Sequence, residues 1–254
     1  MQNFLAQWMP PNYSAHGAYL DLMLGLVHWL MLVLFIGWGS FFIYTLYKFR
    51  SKKNPKASYT GARTHFSSYV EGGVAVIEIV LLLVFSIPAW YRWTRPVPAS
   101  ENPLIIRVVA EQFAWNIHYP GADGRFGKSD IKLISSSNPL GLDPSDPSAR
   151  DDITTINQLH LELNRPVVLR LTSKDVIHSF SLPVMRAKQD VNPGQEIPIH
   201  FTPIKTSGPE DKWEIACAQL CGLGHYRMRG QFVVQTKQEL QKWLAETPPA
   251  LVDG

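Results

Sequence analysis

The sequence has little cysteine and little net charge, and each shortage excludes a class of protein. Only two of its 254 residues are cysteine, Cys217 and Cys221, so the chain can form one internal disulfide at most. The formal net charge is +3, and no basic patch interleaved with aromatic residues is present, which argues against binding of nucleic acid. The motif Cys-x-x-Cys-His is absent, so the chain has no attachment site for a c-type haem.

Two long apolar runs lie in the first hundred residues. They extend over about 20–47 and 72–93, and each matches the roughly 20 helical residues that cross a hydrocarbon core. The loop 48–70 between them carries six basic residues and no acidic one, which favours the cytoplasmic side of a membrane. Residues 1–19 lack the charged start and cleavage site of a secretory signal. We therefore predict a transmembrane hairpin over 1–95, with the following residues on the outer side.

Two carboxylates lie in or beside the second apolar run. Glu78 stands among apolar residues, and a carboxylate within a membrane should face protein or water rather than lipid. Glu71 lies at the cytoplasmic edge, where the helix dipole alone would stabilise an acidic side chain. The residues alone do not decide between that stabilising role and a role in proton uptake.

The chain after residue 95 has the pattern of an all-β domain. Short segments rich in β-branched and aromatic residues alternate with turns that contain proline, glycine and aspartate. Predicted strands are 104–109, 113–118, 158–163, 167–172, 195–201, 212–216 and 230–234. We predict a β-sandwich or barrel over 96–254, interrupted by a surface insertion at 120–155 and closed by a helix at 237–246.

One short segment of this domain combines ligand types that suit a soft metal ion. Cys217, Cys221, His225 and Met228 supply two thiols, an imidazole and a thioether, and His178 offers a second imidazole upstream. Sulfur with imidazole favours copper, and a methionine suits copper better than zinc. A disulfide between the cysteines is the alternative, but His225 and Met228 at short offsets favour the metal. A second thiol suggests two copper ions bridged by two sulfurs, which is chemistry for electron transfer.

The order of these features resembles subunit II of haem–copper cytochrome c oxidases. The resemblance rests on the hairpin, the segment 175–180 (Asp-Val-Ile-His-Ser-Phe) and the spacing Cys-x3-Cys-x3-His-x2-Met from Cys217, and it covers nearly the whole chain. It implies a cupredoxin-like β-domain with a dinuclear copper A centre. By position, Cys217 and Cys221 would bridge two copper ions. The remaining ligands would be His178, His225, Met228 and the main-chain carbonyl of Gln219.

The sequence departs from the family pattern at two positions near the expected centre. Gln219 stands where the family commonly has a glutamate that reaches magnesium shared with subunit I, so the resemblance leaves that magnesium site in doubt. Phe113 stands where the family has the tryptophan of an aromatic patch that receives electrons, so Trp115 or Tyr119 could share this role. Core packing is the alternative for these aromatic residues. Glu71 matches the glutamate at the mouth of a proton pathway into subunit I.

The expected function is therefore electron uptake in a membrane cytochrome c oxidase. Electrons would pass from a cytochrome c type donor to copper and then to haem in subunit I, where oxygen is reduced to water with proton translocation. The expected partners are subunit I, other oxidase subunits, the donor or a donor complex, and lipid. The expected location is the bacterial inner membrane, with the copper domain on the periplasmic side. The alternative from another class is a membrane-tethered copper carrier or sensor without turnover.

Overall fold

The fold was analysed in a computed structural model, which describes residues 8–56, 59–60 and 64–251. The chain divides into two compact units. Residues 19–95 form the first unit, and residues 96–251 form the second together with the segment 8–18. The segment 8–18 differs from the prediction, because it belongs to the second unit rather than to the hairpin.

The first unit consists of two long apolar helical segments. Helix α1 spans Gly17–Lys48, and the second segment contains α2 (Phe66–Leu81), a π-helical stretch (Leu82–Ser86) and α3 (Ile87–Thr94). The two segments contain 32 and 29 residues, and both are long and apolar enough to cross a membrane. They start earlier than the apolar runs alone predicted. Pro88 lies directly after the π-helical stretch, and its missing N–H removes one hydrogen bond from the continuous helical segment. Of the basic loop, Arg63 lies outside the described residues.

The second unit is a sandwich of two five-stranded sheets, which confirms the predicted cupredoxin-like all-β class. One sheet has the order β3-β2-β1-β5-β8 and the other has the order β4-β10-β9-β6-β7. The pairs β1–β5 and β4–β10 are parallel, whereas the other pairs are antiparallel. The strands are β1 Leu104–Glu111, β2 Ala114–Tyr119, β3 Ile153–Ile156, β4 Gln158–Glu162, β5 Val167–Ser173, β6 His178–Leu182, β7 Ala187–Val191, β8 Ile197–Phe201, β9 Glu214–Cys217 and β10 Arg229–Gln235.

The core of the sandwich follows from alternation along the strands. In β1 and β5 every second side chain is buried, as expected when one face of a sheet meets the core. Leu169 and Leu171 of β5 are fully buried, as is Phe180 of β6 in the other sheet. Helix α4 (Lys237–Glu246) ends the domain, and its N-terminus is closed by a capping box between Thr236 and Glu239. This helix has the predicted bounds.

The insertion 120–155 is only partly a surface loop, contrary to the prediction. Its last residues enter the sheet as β3, and Leu140, Leu142 and Ala149 form a small buried cluster within it. The buried His118 Nε2 lies 2.6 Å from the Asp152 carboxylate, which also accepts the main-chain N–H groups of residues 121 and 127. A buried carboxylate with these partners fixes the insertion to β2.

Residues 8–18 lie against the sandwich. Tyr13 donates its main-chain N–H to the Val184 carbonyl at 2.8 Å, and its ring packs on Trp213 in a tilted arrangement with centroids 5.0 Å apart. The buried Ser14 forms an isolated β-bridge with Pro203. The N-terminal segment thus continues the β-structure of the second unit before α1 begins.

Candidate metal centre

The candidate ligands come together where β6, β9 and the β9–β10 connection meet. His178 is the first residue of β6, and Cys217 is the last residue of β9. The two strands are neighbours, and Phe180 of β6 is in register with Cys217. Cys221, His225 and Met228 follow on the connection to β10. The strand pairing therefore brings His178 beside a loop that is 39 residues away in sequence.

The sulfur atoms form the middle of this cluster. Cys217 Sγ and Cys221 Sγ are 3.9 Å apart and are not bonded to each other. The ligand atoms of His178, Cys217 and Cys221 lie within 4.8 Å of one another.

The other three donors each approach one of the two sulfurs. His178 Nδ1 lies 4.0 Å from Cys217 Sγ, whereas His225 Nδ1 lies 3.6 Å from Cys221 Sγ. Met228 Sδ is 3.7 Å from Cys221 Sγ, and the main-chain oxygen of Gln219 is 3.2 Å from Cys217 Sγ. Each sulfur thus has one imidazole beside it and one weaker donor.

Asp175 orients the His178 ring. Its Oδ1 lies 2.8 Å from His178 Nε2, and the ring is fully buried. A proton on Nε2 satisfies this contact and leaves Nδ1 as a lone-pair donor toward Cys217, which is how outer carboxylates fix metal-binding histidines. Burial alone would raise the pKa of Asp175, but hydrogen bonds from His178, Gln112 and Val176 outweigh it and lower this pKa below its usual value.

The Cys221 thiol remains protonated at neutral pH in the metal-free chain. Burial, reinforced by the neighbouring Cys217, raises the pKa of the Cys221 thiol to about 11. A thiolate is the form that binds a metal, so binding of a cation must displace the proton of Cys221.

The donor set fits copper. Two sulfurs, two imidazole nitrogens, a thioether and a carbonyl form a soft, nitrogen-containing set, which copper prefers over magnesium or calcium. Met228 is 1% exposed, which shields that side of the pair from water. The Asp175 carboxylate is hydrogen-bonded to the far nitrogen of His178. The residues present thus fit a copper site, and the assignment of each ligand stays a prediction.

Phe113 covers the loop that carries the ligands. A Cβ atom at Gly224 would lie 2.4 Å from Phe113 Cδ2, and one at Gly222 would lie 3.2 Å from Phe113 Cζ. The ring therefore packs directly on the loop backbone, and glycine is needed at both positions. The Arg227 guanidinium lies 5.7 Å from the centre of the same ring.

Trp115 is not a surface residue, which favours core packing over direct contact with an electron donor. Its ring is fully buried, with its centroid 6.1 Å from that of His178 and 5.1 Å from that of Phe180. Tyr119 is also buried, and its hydroxyl donates to the His160 carbonyl. Core packing under the candidate centre explains both residues. Phe113 is only half-buried, so it alone of the three has an accessible ring.

Comparison with known proteins identifies the family. The family profile described as "Cytochrome C oxidase subunit II, periplasmic domain" matches residues 104–236, which is more than half of the chain. The chain belongs to the cytochrome c oxidase subunit II family. An alternative cytochrome c oxidase subunit 2 from Bradyrhizobium diazoefficiens is 31% identical over 245 residues, which cover 96% of this chain and 85% of that protein. The resemblance inferred from the sequence is therefore confirmed.

Two further relatives show how the likeness varies across the chain. A cytochrome c oxidase subunit 2 from Synechocystis is 32% identical over 59% of this chain, but the match covers only 35% of that longer protein. The solved periplasmic domain of subunit II of cytochrome oxidase from Bradyrhizobium japonicum is 25% identical, with a TM-score of 0.41. It matches 57% of this chain and 92% of the solved domain.

Gln219, through its side chain, and Glu71 are the remaining predicted site residues of this subunit II. The Gln219 side chain is exposed, and as a neutral amide it supplies no carboxylate for magnesium. Glu71 lies in α2, one turn from its first residue, and its side chain is exposed within the hairpin unit. The sequence did not indicate that Asp175 and Gln112 form hydrogen bonds with residues of the candidate ligand set. Asp175 precedes a candidate ligand by three residues, a spacing that could have indicated an orienting role.

Proposed function

We propose that this chain is the electron-accepting subunit of a membrane cytochrome c oxidase, with a dinuclear copper A centre in its β-domain. The observation that carries the proposal is the pair of thiols 3.9 Å apart with one imidazole beside each. Membership of the subunit II family supports it, since such subunits belong to an oxidoreductase complex. Reduction of oxygen would take place at haem in subunit I and would be coupled to proton translocation.

Six donors of the chain would bind the copper ions. Cys217, Cys221, His178 and His225 would hold two copper ions. Met228 and the Gln219 carbonyl would complete the set at the distances at which they already approach the sulfurs. When bound, such a copper pair supplies a one-electron carrier. The protein keeps the six donors in a packed frame, so little rearrangement is required when the charge changes.

Phe113 is the candidate contact for the electron donor, which would be a cytochrome c type protein or donor complex. Its ring is half-buried and packs on Gly222 and Gly224 of the ligand loop. A partner that touches this ring would therefore contact a side chain that packs directly on the loop carrying the sulfurs. Leu223 and Tyr226 on the same loop are 98% and 76% exposed. Exposed apolar side chains of this size on one loop are typical of a protein-binding surface.

The two helices would anchor the chain in a bacterial inner membrane beside subunit I and other oxidase subunits. The basic loop 48–70 would face the cytoplasm and the β-domain the periplasm. Glu71 would admit protons from the cytoplasm to a pathway in subunit I. In spheroplasts, added trypsin should cut the exposed Lys132 and spare Lys52 and Lys53. Protection of the β-domain together with cleavage in the basic loop would reverse the proposed orientation.

Copper loading of the full chain in detergent tests the function. The expected result is two copper ions per chain and a near-infrared mixed-valence band that a cytochrome c type donor can bleach. Cys221→Ser should abolish the band while the domain stays folded, whereas Met228→Leu should keep copper and shift the potential. Rapid loss of copper to a weak chelator would favour a carrier. A single copper ion without the band would refute the proposal.

A further inference from the structure

Gln112 contacts both sides of the candidate ligand set from outside it. The residue lies in the turn between β1 and β2. Its main-chain N–H donates to Asp175 Oδ2 at 2.7 Å, and its side-chain Nε2 donates to the main-chain oxygen of Cys221 at 2.5 Å. Asp175 in turn orients the His178 ring. Gln112 is therefore hydrogen-bonded both to the carboxylate that orients His178 and to the main chain of Cys221.

The contact at Cys221 lies at a sensitive point of the loop. The Cys221 carbonyl belongs to the peptide that leads into Gly222, whose φ is +134°, a conformation that glycine adopts and other residues rarely do. A Cβ at Gly222 would lie 2.6 Å from Gln112 Nε2, so the amide is seated closely over this peptide. A hydrogen bond here fixes the orientation of the peptide and, with it, the direction of the Cys221 side chain.

The turn that carries Gln112 is itself held firmly. The preceding residue, Glu111, pairs with Ala114 in the β1–β2 register and forms an ion pair with Lys174 at 2.7 Å. Asn116 donates to the other oxygen of the same carboxylate at 2.9 Å. Gln112 thus projects from a fixed strand end toward a loop that has no regular strand hydrogen bonding between Cys217 and Arg229. The side-chain amide of Gln112 thus connects the fixed end of β1 to the less regular ligand loop.

We propose that Gln112 is a positioning residue of the metal centre. Through Cys221 and Asp175 it keeps the two cysteine–histidine pairs at a fixed spacing, without touching the metal itself. The metal-binding part of this proposal rests on the proposed function, whereas the effect on the geometry of the thiol pair does not. Residues that orient ligands from outside the ligand set typically change metal affinity by about 10–100-fold when they are lost.

Two variants of the full chain in detergent separate the hydrogen bond from packing. Gln112→Met keeps the length of the side chain but removes the donor, and Gln112→Glu keeps both length and polarity but cannot donate when ionised. Both should release copper about 10–100-fold more readily to a chelator and should shift the near-infrared band. Gln189→Met is the control, because Gln189 also donates to a main-chain carbonyl, that of Asp190, away from the ligand loop.

Alkylation of the metal-free chain provides a readout that does not need copper. Cys221 is 4% exposed, and its rate of modification by N-ethylmaleimide reports opening of the loop. Both Gln112 variants should react faster at Cys221, with melting temperatures close to that of the unchanged chain because the side chain lies at the surface. If the unchanged chain binds no copper but the variants still react faster, the proposed function fails and the positioning role stands.

Three results would overturn the positioning role. Unchanged copper release and unchanged alkylation in both variants would show that the hydrogen bond has no influence on the loop. Normal behaviour of Gln112→Glu with altered behaviour of Gln112→Met would assign the effect to polarity rather than donation. Unfolding of both variants would assign Gln112 to the stability of the domain as a whole.

Discussion

Replacement of Asp175 by asparagine offers a sharp test of how the first imidazole is held. Both carboxylate oxygens accept hydrogen bonds: Oδ1 from His178 Nε2 and the Val176 N–H, and Oδ2 from the Gln112 N–H. Asparagine has one oxygen and one NH2 group, so it cannot accept on both sides. The substitution changes no volume and creates no cavity, which isolates the hydrogen bonding from packing.

Either orientation of the new amide carries a cost. With its oxygen toward His178, the NH2 group faces the Gln112 N–H, and two donors oppose each other. With its NH2 group toward His178, Nε2 must accept, so the ring proton moves to Nδ1 and blocks the nitrogen that lies 4.0 Å from Cys217 Sγ. We expect the copper dissociation constant to rise by about 10–100-fold, which corresponds to about 1.4–2.7 kcal/mol.

Copper competition with a chelator of known affinity measures this change, and thermal unfolding of the metal-free chain measures the cost to the fold. Asp146→Asn is the matched control, because Asp146 also accepts main-chain N–H groups on both oxygens, from Lys128 at 2.8 Å and Ser148 at 3.3 Å. Both variants should lose about 1–2 kcal/mol of folding stability. Only Asp175→Asn should weaken copper binding. Equal copper affinity in the two variants would refute the orienting role.

Three further changes test other parts of the structure. Gly224→Ala should lower the free energy of unfolding by about 1–3 kcal/mol, because its Cβ would lie 2.4 Å from the aromatic ring above the loop. Gly208→Ala, whose nearest neighbour would be 3.5 Å away, should cost little, and an equal loss would contradict the close packing. Burial lowers the pKa of His160 from 6.5, so the unfolded chain binds this proton more readily. Stability should therefore be full above about pH 6.5 and fall at lower pH, and His160→Phe should flatten the plot of melting temperature against pH. Glu71→Gln should slow oxygen consumption by the assembled oxidase with an unchanged copper spectrum, whereas Glu78→Gln should have a smaller effect. Normal turnover in Glu71→Gln would leave only stabilisation of the helix dipole as the role of Glu71.

The sequence predicted those elements whose pattern is local. The helical segments follow from apolar length alone, and β1 and β5 follow from alternation between apolar and polar residues. Three strands were missed for identifiable reasons. Strand β7 (Ala187–Val191) is short and largely polar, and β6 contains two serines. Strand β3 lies at the end of a segment rich in turn residues. Such strands form because their neighbours are already in place, which no local pattern records.

The role of the aromatic residues could not be decided by residue type. Phe113 and Trp115 are two positions apart, and the spacing suggests that they share a face of one strand. In the structure β2 begins only at Ala114, so Phe113 belongs to the turn and reaches the ligand loop. Trp115 instead points into the core beneath His178. The position of a strand end, which is the least certain part of any sequence-based assignment, therefore determined which ring remains accessible.

The metal centre depends on strand register as much as on its residue types. Spacing along the chain groups Cys217, Cys221, His225 and Met228, because all four belong to one segment. His178 joins them only through the pairing of Phe180 with Cys217 between β6 and β9. A slip of one residue in this pairing would turn the side chains of β6 to the opposite face of the sheet and remove His178 from the sulfurs. The full burial of Phe180 opposes such a slip, since the slip would turn the serines of β6 toward the core in place of this ring. The apolar core thus fixes the register that completes the ligand set.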